Sequence, residues 1–356
     1  MAQSSLPPNP FVAAGMIEDS RLFVGRQDEL QAMVSRMTGA QPTSINIYGE
    51  KRIGKSSLLY HFFLTWEQRV QNPNRYVVIY LSLRDVNCQT EIGFYQAVAQ
   101  GLSNSVSGWQ NWVNNALKRK SLNRQGFSEA IKQCEREGKL PVLCLDDFES
   151  LLKYPQEFDN GFYDNLRSLM DDNTLMLVIA SRKKLDVYGS EYRFISSFFN
   201  IGHTLELKEL TTDDAIQLLR LSNGSTNGVP VLSIDEQNNA QQWGKRHPYH
   251  LQLAGYYLVE ARQQSKSVKW AKEQFEKQIA DFKPNSKRQR WGWLRWVVWD
   301  LPVRLGSFAK FIGGTVDDVT NWIIGLVFLI MLALVFAGVL HWNEVWDFVR
   351  EKLGIK

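Results

Sequence analysis

The chain has 356 residues, and its 41 Lys and Arg against 37 Asp and Glu give a formal net charge of only +4, which does not by itself argue for nucleic acid as a partner. With 44% hydrophobic and 22% charged residues, the composition excludes a disordered chain, a collagen and a disulfide scaffold, and the length predicts about two folded units. The three cysteines form no CxxC pair, so no zinc site is indicated.

The first 208 residues are predicted to form an arm followed by an α/β domain. Residues 1–19 contain three prolines and lack the pattern of a secretory signal, so they are interpreted as an N-terminal arm. Within residues 20–208, apolar runs predict strands, and amphipathic runs between them predict helices. The strands are expected at 44–48, 76–83, 142–145, 175–180 and 204–207, and the helices at 55–70, 92–102, 127–136 and 162–170. This alternation is typical of a mostly parallel sheet with helices on both faces.

A phosphate-binding loop is predicted between the first strand and the first of these helices. The octapeptide GEKRIGKS at 49–56 fits the pattern GxxxxGK[ST]. Glycines let backbone N–H groups surround phosphates, the lysine reaches the β/γ oxygens and the serine hydroxyl ligates Mg²⁺. The candidate nucleotide-binding residues of this loop are Gly49, Arg52, Ile53, Gly54, Lys55, Ser56 and Ser57. For Ser57, a packing role is the simpler interpretation.

The strand at 142–145 is followed by two carboxylates at the expected ligand-binding edge of the sheet. Asp146 is predicted to hold Mg²⁺ together with Ser56, and Asp147 stands where a hydrolytic P-loop enzyme carries the acid that polarises the attacking water. The side chain of Asp147 is shorter than the usual glutamate, which predicts slow hydrolysis. Glu149 is the alternative base, and capping of the next helix is the alternative role for Glu149.

The strand at 175–180 ends in two further candidates. The hydroxyl of Ser181 and the guanidinium of Arg182 would lie beside the nucleotide strand, where they could sense the γ-phosphate. The alternative is that Arg182 is an ordinary surface residue of a basic loop.

The strand pattern stops after residue 208, and helical patterns follow at 235–245, 249–262 and 268–281. A Thr-Thr-Asp-Asp sequence at 211–214 is a helix start signal. Residues 209–282 are therefore predicted to form a small helical lid domain.

The C-terminal part has the composition of a membrane-associated segment. Residues 322–340 contain no charged residue, and 19 residues at 1.5 Å rise span about 28 Å, close to the thickness of a bilayer core. A transmembrane helix is predicted over 315–343, with a short tail over 344–356. Residues 283–314 form a basic, Trp-rich juxtamembrane segment, because seven Lys and Arg against one acid lie within 283–310. These cations would contact anionic lipid headgroups, the alternative being a solvated linker.

Several motifs together resemble a known group of proteins. The order FVGR at 23–26, GEKRIGKSSLL, VLCLDDFE, LVIASR, LELKELTTDDAIQLL and HPYHLQLAG is similar to the STAND-class AAA-like P-loop ATPases and their archaeal-type relatives, over about residues 8–262. The resemblance implies that residues Val24, Gly25 and Arg26 run past the adenine, and that His247 and Pro248 close a lid over the nucleotide. Arg246 departs from the pattern, since a glycine usually stands two positions before the lid proline.

The resemblance implies a switch that rests with ADP and assembles with ATP and Mg²⁺. The combined expectation is a single-pass membrane protein whose ATPase domain is cytoplasmic, which hydrolyses ATP slowly and forms homo-oligomers in the ATP state, in a defence or stress response. An unknown protein or ligand would trigger the switch. The alternative is a membrane-associated AAA ATPase of the DNA-handling, origin-recognition-like type, although nucleic acid is not the favoured partner.

Overall fold

The computed structural model describes residues 9–105, 123–222 and 228–281. Five strands lie in these residues: β1 (Ile45–Tyr48), β2 (Tyr76–Ser82), β3 (Leu140–Asp146), β4 (Met176–Ser181) and β5 (His203–Glu206). Ten α-helices lie in the same residues: α1 (Gln27–Thr38), α2 (Lys55–Thr65), α3 (Glu91–Ser105), α4 (Arg124–Arg136), α5 (Asn160–Asp171), α6 (Leu185–Tyr192), α7 (Thr212–Leu219), α8 (Ile234–Gly244), α9 (Pro248–Gln263) and α10 (Val268–Ala280).

The five strands form one sheet in the order β2-β3-β4-β1-β5, and every neighbouring pair is parallel. This confirms the parallel sheet that the sequence predicts. Strand β4 lies between β1 and β3, with Tyr48 opposite Ser181, while Ser82 lies opposite Asp146. Because all strands run the same way, the segments that follow them meet at one edge of the sheet, where parallel sheets bind ligands.

Both faces of the sheet are buried under helices. Leu143 and Leu145 of β3 pack into a cluster with α3, α4, α5 and α6, whereas Val142 and Cys144 pack into a second cluster with α1 and α2. The alternation follows from the twofold side-chain period of a strand. A sheet covered on both faces explains why β3 is buried along its whole length.

Most predicted boundaries differ from the structure by a few residues, and β3 and α2 are two examples. Strand β3 begins at Leu140, two residues earlier than predicted, and includes Pro141. Proline is tolerated there because the pairing of β3 with β4 starts only at Val142, so one side of Pro141 has no ladder to interrupt. The helix predicted over 55–70 ends at Thr65 and continues as the 3-10 turn Trp66–Arg69.

The described residues after β5 contain helices and no strand, which confirms the predicted helical region. Thr211 caps α7 and Ser233 caps α8, the latter in a capping box with Glu236. Helices α8 and α9 pack closely, since a Cβ on Gly244 would lie 2.8 Å from the backbone nitrogen of Leu251. Helices α8 and α9 thereby form a helical layer, and α9 lines a cavity at the edge where β3 and β4 end.

Contacts divide the chain into residues 1–277 and 278–356, and the structure describes only residues 278–281 of the second unit. Within the described parts of the chain, no helix combines the length and the apolar character needed to cross a bilayer. The predicted juxtamembrane segment (283–314), transmembrane helix (315–343) and tail (344–356) lie outside the described residues.

Candidate functional site

The loop between β1 and α2 has the backbone that phosphate binding requires. Gly54 adopts a left-handed conformation at φ 98° and directly precedes α2, so the first N–H groups of the helix point out of its end. A Cβ on Gly49, at φ 155°, would lie 2.6 Å from the carbonyl oxygen of Leu207, so this position fits only glycine. Lys55 Nζ donates hydrogen bonds to the carbonyl oxygens of Gly49 (2.8 Å) and Glu50 (2.7 Å). The ammonium group is thus held at the mouth of the loop.

Ser56 and Asp146 meet across the sheet edge. Ser56 Oγ donates a hydrogen bond to Asp146 Oδ1 over 3.1 Å, and Tyr80 Oη donates to Asp146 Oδ2 over 3.0 Å. Burial raises the pKa of Asp146, and the neighbouring Asp147 carboxylate raises it further. A hydroxyl and a carboxylate oxygen are ligands that suit Mg²⁺, which usually takes one or two protein ligands together with substrate phosphates and water. The pair Ser56 and Asp146 therefore fits the predicted metal.

The other two acids after β3 are each close to an arginine. Asp147 adopts a left-handed conformation at φ 55° and lies with both carboxylate oxygens 2.8 Å from the guanidinium of Arg84. Glu149 Oε1 lies 2.7 Å from Nε of Arg182. All four side chains line the same cavity.

Ser181 is buried at the end of β4. Its hydroxyl accepts a hydrogen bond from Asn46 Nδ2 (2.8 Å) and donates one to the carbonyl oxygen of Lys183 (2.6 Å). In the described structure these contacts hold the loop that carries Arg182 against β1. A role for Ser181 at the γ-phosphate stays a prediction.

The N-terminal arm lies along the cavity and connects α2 with α9. Asn9 donates a hydrogen bond to the carbonyl oxygen of Tyr256, and the Val12 N–H donates to Gln252, both on α9. At its other end, the Ile17 N–H donates to the hydroxyl of Ser57 over 3.0 Å. Ser57 therefore has a structural contact with the arm.

The FVGR segment forms a hydrogen bond to the phosphate-binding loop. Arg26 is 6% exposed and donates hydrogen bonds to Glu29, to the carbonyl oxygen of Ile53 (3.3 Å) and to that of Lys208 (2.5 Å). Gly25, at φ 74°, lies against α7, because a Cβ there would lie 2.4 Å from the side chain of Asp214. The segment thus joins the phosphate-binding loop to the helical region.

His247 and Pro248 lie at the start of α9, as the resemblance implies. Pro248 occupies the first turn and lines the cavity. The ring of His247 stacks on that of His250 at 4.1 Å, and burial, followed by the charge of His250, lowers the pKa of His247 to about 4. His247 is therefore neutral at physiological pH.

These elements enclose a cavity of about 640 Å³. Its walls come from the arm, the FVGR segment, the phosphate-binding loop, the ends of β2, β3 and β4, and the helices α7 and α9. Of the predicted residues, those that line it are Val24, Arg26, Arg52, Ile53, Gly54, Lys55, Ser56, Ser57, Asp146, Asp147, Ser181, Arg182 and Pro248. Gly25, Gly49 and His247 are not among the lining residues.

The motifs of this cavity match a sequence family. The model of the family described as Novel STAND NTPase 1 matches residues 13–222, more than half of the chain. The chain belongs to this family. The match confirms the STAND resemblance and supports an NTPase of the P-loop type. No curated protein matches the sequence.

Solved structures show the same fold at low sequence identity. The ORC2 protein of Aeropyrum pernix, in ADPNP and ADP complexes, is 14% identical with a TM-score of 0.56, over 95% of this chain and 84% of that one. The Walker-type ATPase paby2304 of Pyrococcus abyssi is 16% identical with a TM-score of 0.51, over 85% of this chain and 89% of that one. At such identities the similarity of this STAND NTPase to both proteins concerns the fold.

Several lining residues of this STAND NTPase were not predicted, among them Tyr80, Arg84, Tyr249 and Gln252. A signal exists for Arg84, which follows the end of β2 by two residues, since β2 pairs with β3, the strand that ends in Asp146. Tyr80, inside β2, and Gln252, inside α9, look like ordinary element residues in the sequence.

Proposed function

We propose that this chain is a switch that binds ATP or ADP with Mg²⁺, hydrolyses ATP slowly and assembles into homo-oligomers when ATP is bound. The observation that carries the proposal is the meeting of Lys55, Ser56 and Asp146 at one edge of a parallel sheet. Membership of a STAND NTPase family supports it.

Lys55, Ser56 and Asp146 would each have a role that follows from the chemistry of its side chain. Lys55 would exchange its two carbonyl partners for phosphate oxygens, a stronger charge-assisted interaction. Ser56 and Asp146 would hold Mg²⁺, which supplies neutralisation of the phosphate charge. Burial lowers the pKa of Lys55, while the charges of Glu149, Asp146 and Asp147 oppose that shift. A bound triphosphate would add further negative charge and so favour the protonated amine.

Switching is supported by the variety of elements around the nucleotide cavity. The arm, the FVGR segment and the first turn of α9 all contribute to its walls. A change of bound nucleotide therefore alters contacts with parts that lie far apart in the sequence. In the proposal, the ATP form exposes a surface through which copies of the chain associate, and an unidentified protein or ligand favours that form.

The direct test is nucleotide binding by the full-length chain. Lys55→Ala should abolish binding of fluorescent ATP and ADP analogues, because the variant loses the cation that contacts the phosphates. Lys272→Ala, on the exposed side of α10, makes the same chemical change away from the cavity and should bind like wild type. Equal affinities for Lys55→Ala and wild type would refute the assignment.

The membrane part of the proposal rests on the sequence outside the described residues. The uncharged stretch 322–340 would span the bilayer, and the positive-inside rule applied to the seven Lys and Arg within 283–310 would put the ATPase domain on the cytoplasmic side. Full-length protein should resist extraction by alkaline carbonate, and protease should reach a C-terminal tag only from outside the cell membrane. Release by carbonate would exclude a spanning helix.

The ligand that the basic residues within 283–310 bind distinguishes this proposal from the alternative of a DNA-handling ATPase. The fold similarity to an origin-recognition protein keeps that alternative in view. Full-length protein should bind anionic liposomes more tightly than duplex DNA at matched salt. Tighter binding to DNA would favour the alternative.

A further inference from the structure

The carboxylate of Glu149 is buried without a hydrogen bond. Glu149 lies on the 3-10 helix Phe148–Lys153 directly after β3, and its side chain is 15% exposed. Neither of its two oxygens accepts a hydrogen bond from any residue that the structure describes, and both are inaccessible to solvent. Arg182 Nε approaches Oε1 to 2.7 Å, but outside hydrogen-bond geometry. Buried carboxylate oxygens in native proteins nearly always have a hydrogen-bond donor, so Glu149, although ion-paired with Arg182, lacks one among the described residues.

Asp147 differs in this respect. Arg84 Nη2 donates a hydrogen bond to Asp147 Oδ1 over 2.8 Å, and Arg84 Nε lies 2.8 Å from Oδ2, so that the guanidinium faces both oxygens. A forked contact of this kind is the strongest pairing available to a carboxylate. Both carboxylate oxygens of Asp147 are therefore occupied by the guanidinium of Arg84.

Glu149 lines the same cavity as Lys55 and Arg182. Because Lys55 would hold the phosphates, the carboxylate of Glu149 borders the space in which they would lie.

We propose that Glu149, and not Asp147, is the base that activates the attacking water. The inference rests on the proposed function. A water molecule donates a hydrogen bond to the carboxylate of Glu149, and its oxygen forms a bond to the γ-phosphorus. The water proton passes to Glu149, the bond between the γ-phosphorus and the bridging oxygen breaks, and its electron pair remains on ADP. Glu149 then returns the proton to solvent.

Arg182 makes this base dependent on ATP. Its guanidinium is close to Glu149 and half exposed, within the same cavity. The γ-phosphate carries more charge than one carboxylate and competes for Arg182. Transfer of Arg182 to the phosphate uncovers the carboxylate of Glu149, which can then accept a hydrogen bond from the attacking water when the substrate is present.

The test compares full-length Glu149→Gln with Asp147→Asn, two amide replacements that remove a charge at nearly constant volume. Single-turnover hydrolysis of radiolabelled ATP and affinity for a fluorescent ATP analogue are measured for both. Glu149→Gln should lose about 10²–10³-fold in hydrolysis with ATP affinity kept, a loss at least about tenfold greater than that of Asp147→Asn. Glu276→Gln, on α10, is the matched control and should hydrolyse like wild type.

Hydrolysis by Glu149→Gln within about threefold of wild type, or an equal loss in Asp147→Asn, would overturn the inference. If Glu149→Gln does not bind ATP, Glu149→Asp is measured instead, because it keeps the charge but moves the carboxylate away from the attacking water. Wild-type turnover in Glu149→Asp would contradict the role of Glu149 as the base. ATP binding without any turnover in the wild type also overturns the inference but leaves the nucleotide switch standing. Failure of ATP binding in the wild type refutes the proposed function itself.

Discussion

The guanidinium carbon of Arg52 lies 4.3 Å from the centre of the Tyr249 ring. Arg52 belongs to the phosphate-binding loop and adopts a left-handed conformation at φ 69°, whereas Tyr249 is the second residue of α9. A stacked arginine and aromatic ring attract each other through the charge and the ring quadrupole. The contact therefore joins the loop that holds phosphates to the helical region that covers them.

This contact predicts that the Tyr249 ring supports nucleotide binding. Tyr249→Leu removes the aromatic face, and the dissociation constant for ATP should rise about two- to tenfold, the range that a cation–π contact of about 0.5–1.4 kcal/mol gives. Tyr249→Phe keeps the face and should retain most of the affinity. Titration of a fluorescent ATP analogue measures both. Wild-type affinity in Tyr249→Leu would show that the contact does not contribute.

Tyr80 is expected to position the metal-binding carboxylate. Tyr80→Phe removes the hydroxyl that donates to Asp146 Oδ2, so Asp146 is held less firmly for Mg²⁺. The Mg²⁺ concentration for half-maximal ATP binding should rise about tenfold, as expected for a lost hydrogen bond to a charged group of about 1.5 kcal/mol. Tyr60→Phe is the control, because it also removes one tyrosine hydroxyl and the centre of the Tyr60 ring lies 5.1 Å from that of Tyr80. An unchanged Mg²⁺ requirement in Tyr80→Phe would contradict the role.

The raised pKa of Asp146 predicts that this residue lowers the stability of the nucleotide-free protein. Burial raises its pKa, so the protonated form favours folding; this contribution is complete below the ordinary Asp pKa and is lost as pH rises through the raised value. Above that raised pKa the ionised carboxylate opposes folding. Asp146→Asn should increase the free energy of unfolding at pH 7 and abolish the Mg²⁺ dependence of ATP binding.

Denaturant unfolding without nucleotide measures this effect. The gain in free energy of unfolding that Asp146→Asn gives should shrink as the pH falls through the raised pKa of Asp146, because the wild-type residue is then neutral as well. Asp171→Asn, at an exposed ion pair on α5, serves as the control. A loss of stability in Asp146→Asn at pH 7 would mean that its hydrogen bonds to Ser56 and Tyr80 outweigh the cost of the buried charge.

The backbone of the site could be predicted because local sequence determines it. The pattern around Lys55 specifies a strand, a glycine-rich turn and a helix, and the structure has these at Ile45–Tyr48 and Lys55–Thr65. Apolar runs likewise located all five strands. The start of β3 was predicted two residues late, and its inclusion of Pro141 depends on where pairing with β4 begins, which the local sequence does not show.

The side-chain partners of the acids could not be predicted in this way. Arg84 and Asp147 are far apart in the sequence, and their contact follows from the register of β2 against β3. The same register places Tyr80 near Asp146. Motif spacing identifies the acids at 146, 147 and 149, but only their partners distinguish a paired acid from one without a hydrogen bond.

In the proposed switch, ATP bound at Lys55 drives assembly. Light scattering after size-exclusion chromatography gives the mass of the full-length chain in detergent, with Mg²⁺ and either ADP or a non-hydrolysable ATP analogue. We predict a mass of several chains with the ATP analogue and of one chain with ADP, and one chain under both conditions for Lys55→Ala. The same mass for wild type with either nucleotide would contradict the account.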